Sequence, residues 1–211
     1  MKVAVVIGST GLVGSHLVEQ LIRSEYYSKL ILLNRKKSPY VHAKIEEYII
    51  NFDHPDLTQI KGEDIFCAIG TTLKKAGSKE AQYKIDCEYP TLFAKLLREG
   101  HSEQFILVSS LGANAESGNF YLRTKGKLEK NLENLHFHTL LIVRPSLILG
   151  DRKEFRLGEK IGTIVMKALG LVMLGPLKKY KGVQASAIAA KMIAVANQHL
   201  NGIRIFESDS I

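Results

Sequence analysis

Short apolar runs alternate with segments of helical periodicity along most of the 211-residue chain. Lys2-Val3-Ala4-Val5-Val6-Ile7 is β-branched and apolar without alternation, the pattern of a strand buried on both faces. Beyond the glycines of residues 8–14, Val13, Leu17, Val18, Leu21 and Ile22 recur at helical spacing, with Ser15, Glu19 and Gln20 between them. Residues 30–33, 45–50, 64–70, 105–108 and 140–143 predict five further strands, and 203–206 a last short one. Residues 88–98 place Leu92, Phe93, Leu96 and Leu97 on one helix face, which Gly100 ends. Residues 185–197 predict a helix of small residues, and 74–78 a loop. Such alternation of strand and helix calls for a parallel, doubly wound α/β sheet.

The character changes after Gly150. Residues 161–177 are mostly apolar, but Gly162, Gly170, Gly175 and Pro176 interrupt them and Lys167 lies among them. The stretch is too broken and too short to span a bilayer comfortably. The expected organisation is one unit over 1–211: a core over 1–150, then a small C-terminal cap region over 151–211 that includes the last helix and strand.

Charge narrows the partners. Lys and Arg number 29 against 21 Asp and Glu, a net charge of +8, which favours anionic ligands: a dinucleotide phosphate, a nucleic acid or a membrane surface. The basic residues are scattered, with no stripe of interleaved aromatics, so nucleic acid is not an expected partner. The seven histidines form no metal-ligand pattern, and no metal is expected. Cys67 and Cys87 have neither metal nor redox spacing, which suggests a reducing compartment. The apolar run at the start is too short for a signal peptide. Together these predict a cytoplasmic protein. Oligomeric state is left open, a homo-oligomer included.

The glycines carry the first chemistry. A pyrophosphate at a helix N-terminus needs free backbone N–H groups and a close approach, which any Cβ obstructs. Gly8 would turn the chain out of the strand, Gly11 would admit the diphosphate, and Gly14 would let the helix press on the strand. The spacing is GxxGxxG rather than GxGxxG, so the motif draws its weight from lying between a strand and a helix. The second strand runs into Asn34-Arg35-Lys36-Lys37, where NAD-preferring folds place an acid for the ribose 2′-hydroxyl. Arg35 and Lys36 would instead pair with a 2′-phosphate, so NADP(H) is the expected cofactor. Asp53, after the third strand, is a candidate acceptor for the adenine amino group. Gly70, ending the fourth strand, would line the ligand crevice.

Tyr121 and Lys125 stand at i and i+4 on one helix face, after Ser109-Ser110 at the tip of the fifth strand. With a dinucleotide fold, this is the Ser–Tyr–Lys arrangement of carbonyl reduction. Hydride reaches the carbonyl carbon, and the oxygen needs a proton from a positioned acid. Tyr121 would be that acid, with the Lys125 ammonium favouring its phenolate. A serine hydroxyl, Ser110 by preference over Ser109, would hold the substrate oxygen. The apolar stretch 161–177 would cap the nicotinamide end of the crevice.

The chain resembles the atypical short-chain dehydrogenases/reductases, and most closely the Tat-interacting oxidoreductase family. The resemblance runs through residues 8–14, Asn34-Arg35-Lys36, Cys67-Ala68-Ile69-Gly70-Thr71-Thr72, Lys75-Ala76-Gly77, Ser109-Ser110, residues 121–126, Arg144-Pro145 and Asp151-Arg152. It implies an NAD(P)-binding Rossmann fold, and NADPH contacts at Thr10, Gly11, Leu12, Val13, Arg35, Lys36, Ile69, Gly70, Tyr121 and Lys125. Leu12 and Val13 replace polar residues common in that family, so the contacts implied there are to backbone. The expected function is an NADP(H)-dependent oxidoreductase acting on a small carbonyl or alcohol. The alternative is an NADP(H)-binding regulatory or sensor protein, since relatives of this family are known as regulators.

Overall fold

In a computed structural model describing residues 1–150 and 180–211, β1 (Lys2–Ile7) is hydrogen-bonded along both edges. It pairs in parallel with β2 (Tyr27–Asn34) on one side and β4 (Asp64–Cys67) on the other. This central position explains its unbroken apolar sequence, because both faces are covered. β3 (Ile45–Ile49) lies outside β2, while β5 (Gln104–Val108), β6 (Thr139–Arg144) and β9 (Gly202–Glu207) follow β4 in that order. Every pairing in this seven-stranded sheet is parallel. The order 3-2-1-4-5-6, extended by one strand, is that of the doubly wound dinucleotide-binding folds.

Alternate residues of each strand feed two cores. Ala4, Val6, Leu30, Leu32 and Phe66 face α1 (Leu12–Arg23) and α6 (Ala185–Ala196). Val5, Ile7, Ile31, Leu33 and Ile65 face the layer that holds α4 (Tyr89–Glu99) and α5 (Phe120–Glu133). At the amino-terminal edge the opening residues of four strands form a polar knot. Asp64 accepts from Lys2 Nζ at 2.9 Å, the Tyr27 hydroxyl at 2.5 Å and Gln104 Nε2 at 2.9 Å. Lys2 and Gln104 also donate to the Ala196 carbonyl, tying the end of α6 to the sheet.

The predicted loop at 74–78 is largely helical. Thr72 caps α2 (Leu73–Ala76) through the Lys75 N–H, and Gly77 ends it at φ 86°. Ser78 then caps α3 (Lys79–Tyr83), which runs through a π-helical turn (Lys84–Glu88) directly into α4. Thus the helical run begins well before residue 88. Local propensity hides this, because two short capped turns and a π-turn have no 3.6-residue apolar period to read. Three of the histidines adopt positive φ just beyond helices: His101 after α4, His136 after α5 and His199 after α6. Histidine is among the few residues enriched in that region.

The sequence pattern misses one further pairing. β7 (Ile148–Leu149) and β8 (Val183–Gln184) run side by side, so the chain returns beside the point from which it left. The predicted apolar cap at 161–177, and Asp151-Arg152, lie outside the described residues. Among the described residues no helix is long and apolar enough to cross a membrane.

Candidate active site

The carboxyl ends of β1, β4 and β5 collect the groups able to do chemistry. Gly8 leaves β1 at φ 88°, and a Cβ there would lie 2.8 Å from the backbone of Ala68 and Ile69. A Cβ on Gly14 would lie 1.9 Å from the Gly8 carbonyl oxygen. Both positions accept only glycine, and together they bring the first turn of α1 down onto the end of the strand. Gly11 is the N-cap of α1, and among the described residues no side chain caps that end. An uncapped helix N-terminus above a glycine cradle presents its first N–H groups to an anion, so these residues fit a dinucleotide diphosphate. Thr10 and Gly11 are exposed, whereas Val13 is buried and Leu12 packs against the apolar core. The Val13 side chain therefore points to the core and that of Leu12 packs half-buried against it, so the polar groups these positions offer a ligand are those of the backbone.

Arg35 and Lys36 are exposed at the tip of β2. The Arg35 guanidinium lies 5.6 Å from the Phe52 ring centroid, a cation–π arrangement. Phe52 lines an open cavity of about 510 Å³ with Asn51, Asp53, Lys84, Tyr89 and Leu92. Asp53 lines this cavity, where it is already engaged: Lys84 Nζ is 2.6 Å away and the Tyr89 hydroxyl donates at 2.8 Å. Those two bonds hold its carboxyl below the usual carboxylate range.

Ile69 is half-buried and Gly70 exposed where β4 ends. A Cβ on Gly70 would lie 3.6 Å from Asp86 Oδ1 and 3.9 Å from Lys125 Nζ, so both side chains converge there. Lys125 is only 4% exposed. Burial by itself would depress its ammonium, but the acidic side chains around it, Tyr121 first and then Asp86, Cys67 and Glu129, outweigh that and hold it above the ordinary lysine value. Asp86 is fully buried in the π-turn, where it accepts the Thr71 N–H at 2.7 Å and a bond from Gln82 Nε2 at 3.3 Å. The π-turn thus pins the loop after β4 beside Lys125.

Tyr121 lies in the first turn of α5, half-buried, one turn before Lys125. Asn119 caps the helix by accepting the Leu122 N–H at 3.2 Å. Gly126 lets α5 approach the loop that follows β5: a Cβ there would lie 2.2 Å from the Ala115 nitrogen. The two serines at the tip of β5 differ sharply. Ser109 donates to Glu129, whose carboxylate is also gripped by Arg144 through Nε at 3.0 Å and through Nη2. Among the described residues the Ser110 hydroxyl makes only a long 3.4 Å bond to the Leu111 carbonyl.

Sequence reasoning did not single out Asp86, Glu129 or Glu47, which joins the turn after β2. One signal was present for Asp86: a lone acid between Ile85 and Cys87 in a stretch that packs inward.

Known proteins place the chain. Residues 22–172 match the HIM1 family. FMP52, a mitochondrial protein of Candida glabrata, is 35% identical over 161 residues, covering 74% of this chain and 68% of that one. HTATIP2 of Rattus norvegicus is 32% identical over 164 residues, covering 75% and 67%. The mitochondrial fmp52 of Emericella nidulans is 30% identical over 205 residues, 93% of this chain and 88% of its own. Among solved structures, MoeE5 in complex with UDP-glucose and NAD superposes with a TM-score of 0.72 at 14% identity, over 96% of this chain and 74% of that one. A UDP-galactose 4-epimerase gives 0.71 at 14%, over 97% and 77%. The two structural likenesses show the fold: the Rossmann-like parallel sheet seen in MoeE5 and in the 4-epimerase. The sequence relatives correct the cytoplasmic expectation, because the fungal ones are named mitochondrial. Free cysteines such as Cys67 and Cys87 fit the cytosol and a mitochondrion alike. By the matched profile and by its relatives, the chain belongs to the HIM1 family, with FMP52 and HTATIP2.

Proposed function

We propose that the protein is an NADP(H)-dependent oxidoreductase of the short-chain type, transferring hydride to or from a small carbonyl or alcohol. The observation that carries this reading is Lys125. Lysines ordinarily keep the ammonium in water. This one is buried one turn beyond Tyr121, beside Gly70 at the mouth of the sheet, where its charge serves chemistry.

The dinucleotide diphosphate would be held by the backbone at Thr10, Gly11, Leu12 and Val13, with Gly8 and Gly14 allowing the approach. Arg35 and Lys36 would take the 2′-phosphate. The pocket beside Asp53 would take the adenine, and Ile69, Gly70, Tyr121 and Lys125 the nicotinamide end. When bound, the nicotinamide supplies or accepts the hydride. Ser110 donates a hydrogen bond to the substrate oxygen, and Tyr121 delivers the proton to that oxygen in the reductive direction. Lys125 stabilises the phenolate left behind. By analogy with the fungal relatives, the working compartment is the mitochondrion.

Kinetics of two variants test this. Tyr121→Phe removes the proton donor and should lower turnover by about 10²–10⁴-fold. Its NADPH affinity should fall by no more than about fivefold, since one hydrogen bond is worth about 1 kcal/mol net. Lys125→Met should impair both. Full turnover by Tyr121→Phe overturns the mechanism. Absence of turnover on a broad carbonyl panel, with Lys125→Met still weakening NADPH binding, would point to the regulatory alternative instead.

A further inference from the structure

No acid stands in the turn after β2, yet one enters it from the next strand. Glu47 sits opposite Leu32 in the β2–β3 register. Its Oε1 accepts from Asn34 Nδ2 at 2.7 Å and from the Ser38 N–H at 2.8 Å. Those donors are the two ends of Asn34-Arg35-Lys36-Lys37-Ser38, so a single oxygen closes the turn that displays the cations. Asn34 in its own right accepts from the buried hydroxyl of Ser9, at 2.7 Å, next to Gly8. Tyr40 adds a bond of 3.2 Å to the Ser9 carbonyl. A continuous polar chain, Ser9–Asn34–Glu47–Ser38, therefore joins the glycine loop to the basic turn.

Three successive cations repel one another, and a short turn bearing them would open if nothing held its ends. A carboxylate bonded to both ends opposes that opening while leaving Arg35 and Lys36 facing outward. The bonds from Ser38 and Asn34, together with the charge of Lys37, outweigh the effect of burial and hold the Glu47 carboxyl below its ordinary range, so it stays ionised.

We propose that Glu47 is a positioning residue for cofactor selectivity: it fixes the Arg35–Lys36 turn in the shape that receives a ribose 2′-phosphate. The inference rests on the NADP(H) reading above. Its competitor is direct: a carboxylate here that accepts the ribose 2′-hydroxyl would favour NAD(H).

Dissociation constants for NADPH and NADH, measured by fluorescence titration on the native protein, Glu47→Gln and Glu47→Ala, separate these readings without recourse to turnover. Glu47→Gln keeps one acceptor oxygen and should retain the native preference for NADPH. Glu47→Ala should lose NADPH affinity by about fivefold, the equivalent of one net hydrogen bond, with NADH nearly unchanged. If Glu47→Ala does not fold, Glu47→Asp, one methylene short of both donors, is read in the same way. A native preference for NADPH that survives in Glu47→Ala overturns the inference and leaves the cofactor reading standing. Equal loss of both cofactors also overturns it, because that marks a role in folding alone. A native preference for NADH, lost in Glu47→Gln, overturns the inference and the cofactor reading together.

Discussion

A methyl group at Gly14 would meet the Gly8 carbonyl oxygen at 1.9 Å, and one at Gly126 would meet the Ala115 nitrogen at 2.2 Å. Both obstacles are backbone atoms, so no rotamer change relieves the clash. Gly14→Ala and Gly126→Ala should each cost about 1–3 kcal/mol or more in urea unfolding. The two should part in function: Gly14→Ala lifts the glycine loop and weakens NADPH binding, while Gly126→Ala shifts α5 and lowers turnover. Asp86 gives a cleaner contrast. Asp86→Asn keeps an acceptor for the Thr71 N–H. Asp86→Ala leaves that part-buried donor without its partner, at about 1 kcal/mol, and also removes a charge that supports Lys125. Chemical denaturation of the pair should rank native, then Asn, then Ala.

Elements hold the site through a few cross-braces. α5 supplies Tyr121, Lys125 and Glu129 from one face, and Glu129 fastens that face to β6 through Arg144 and to β5 through Ser109. Glu129 is 3% exposed, so Arg144→Met strands a buried carboxylate and should destabilise by about 3–5 kcal/mol. Adding Glu129→Leu to Arg144→Met should recover much of that loss, because the stranded charge is gone. A double-mutant cycle on thermal unfolding measures it. The continuous run α3–π–α4 is the second brace. Its π-turn adds the extra residue that turns Asp86 toward the crevice while Cys87 and Phe93 stay in the core.

The division of labour across the whole molecule is between the two edges of the sheet. The amino-terminal edge is locked by the Asp64–Tyr27–Gln104–Lys2 knot, and the carboxyl edge is left for ligand. Burial, and then the Asp64 carboxylate, raise the Tyr27 phenol well above its ordinary value of about 10. Since the folded value exceeds the unfolded one, this contribution to stability is complete below about pH 10 and is lost as pH rises beyond it. The stability difference between the native protein and Tyr27→Phe should therefore stay constant from neutrality to that pH, then shrink in more alkaline urea titrations. Ligand linkage acts on the same scale. NADPH at 100 times its dissociation constant should add about 2.7 kcal/mol, a melting shift of roughly 5–11 °C for a chain of this length.

The sequence by itself determined the sheet. Apolar runs and helical periods are local, and the covered strands β1, β2, β5 and β6 all formed within a few residues of their predicted bounds. The glycine loop, Tyr121 and Lys125 were legible for the same reason, since each depends on spacing within one turn or one helix. Tertiary structure decided everything that needs two distant segments in contact. Ser109 and Ser110 are equivalent as letters and differ only because Glu129, twenty residues on, takes one hydroxyl. Asp53 reads in the sequence as a candidate acceptor for an adenine amino group, but Lys84 and Tyr89 reach it across the fold. Asp86 faces the crevice because a π-turn rotates it there, and the basic turn keeps its shape because Glu47 arrives from another strand. Periodicity records which side of an element is buried; only the packed chain determines which polar groups spend their hydrogen bonds on each other and which remain for a ligand.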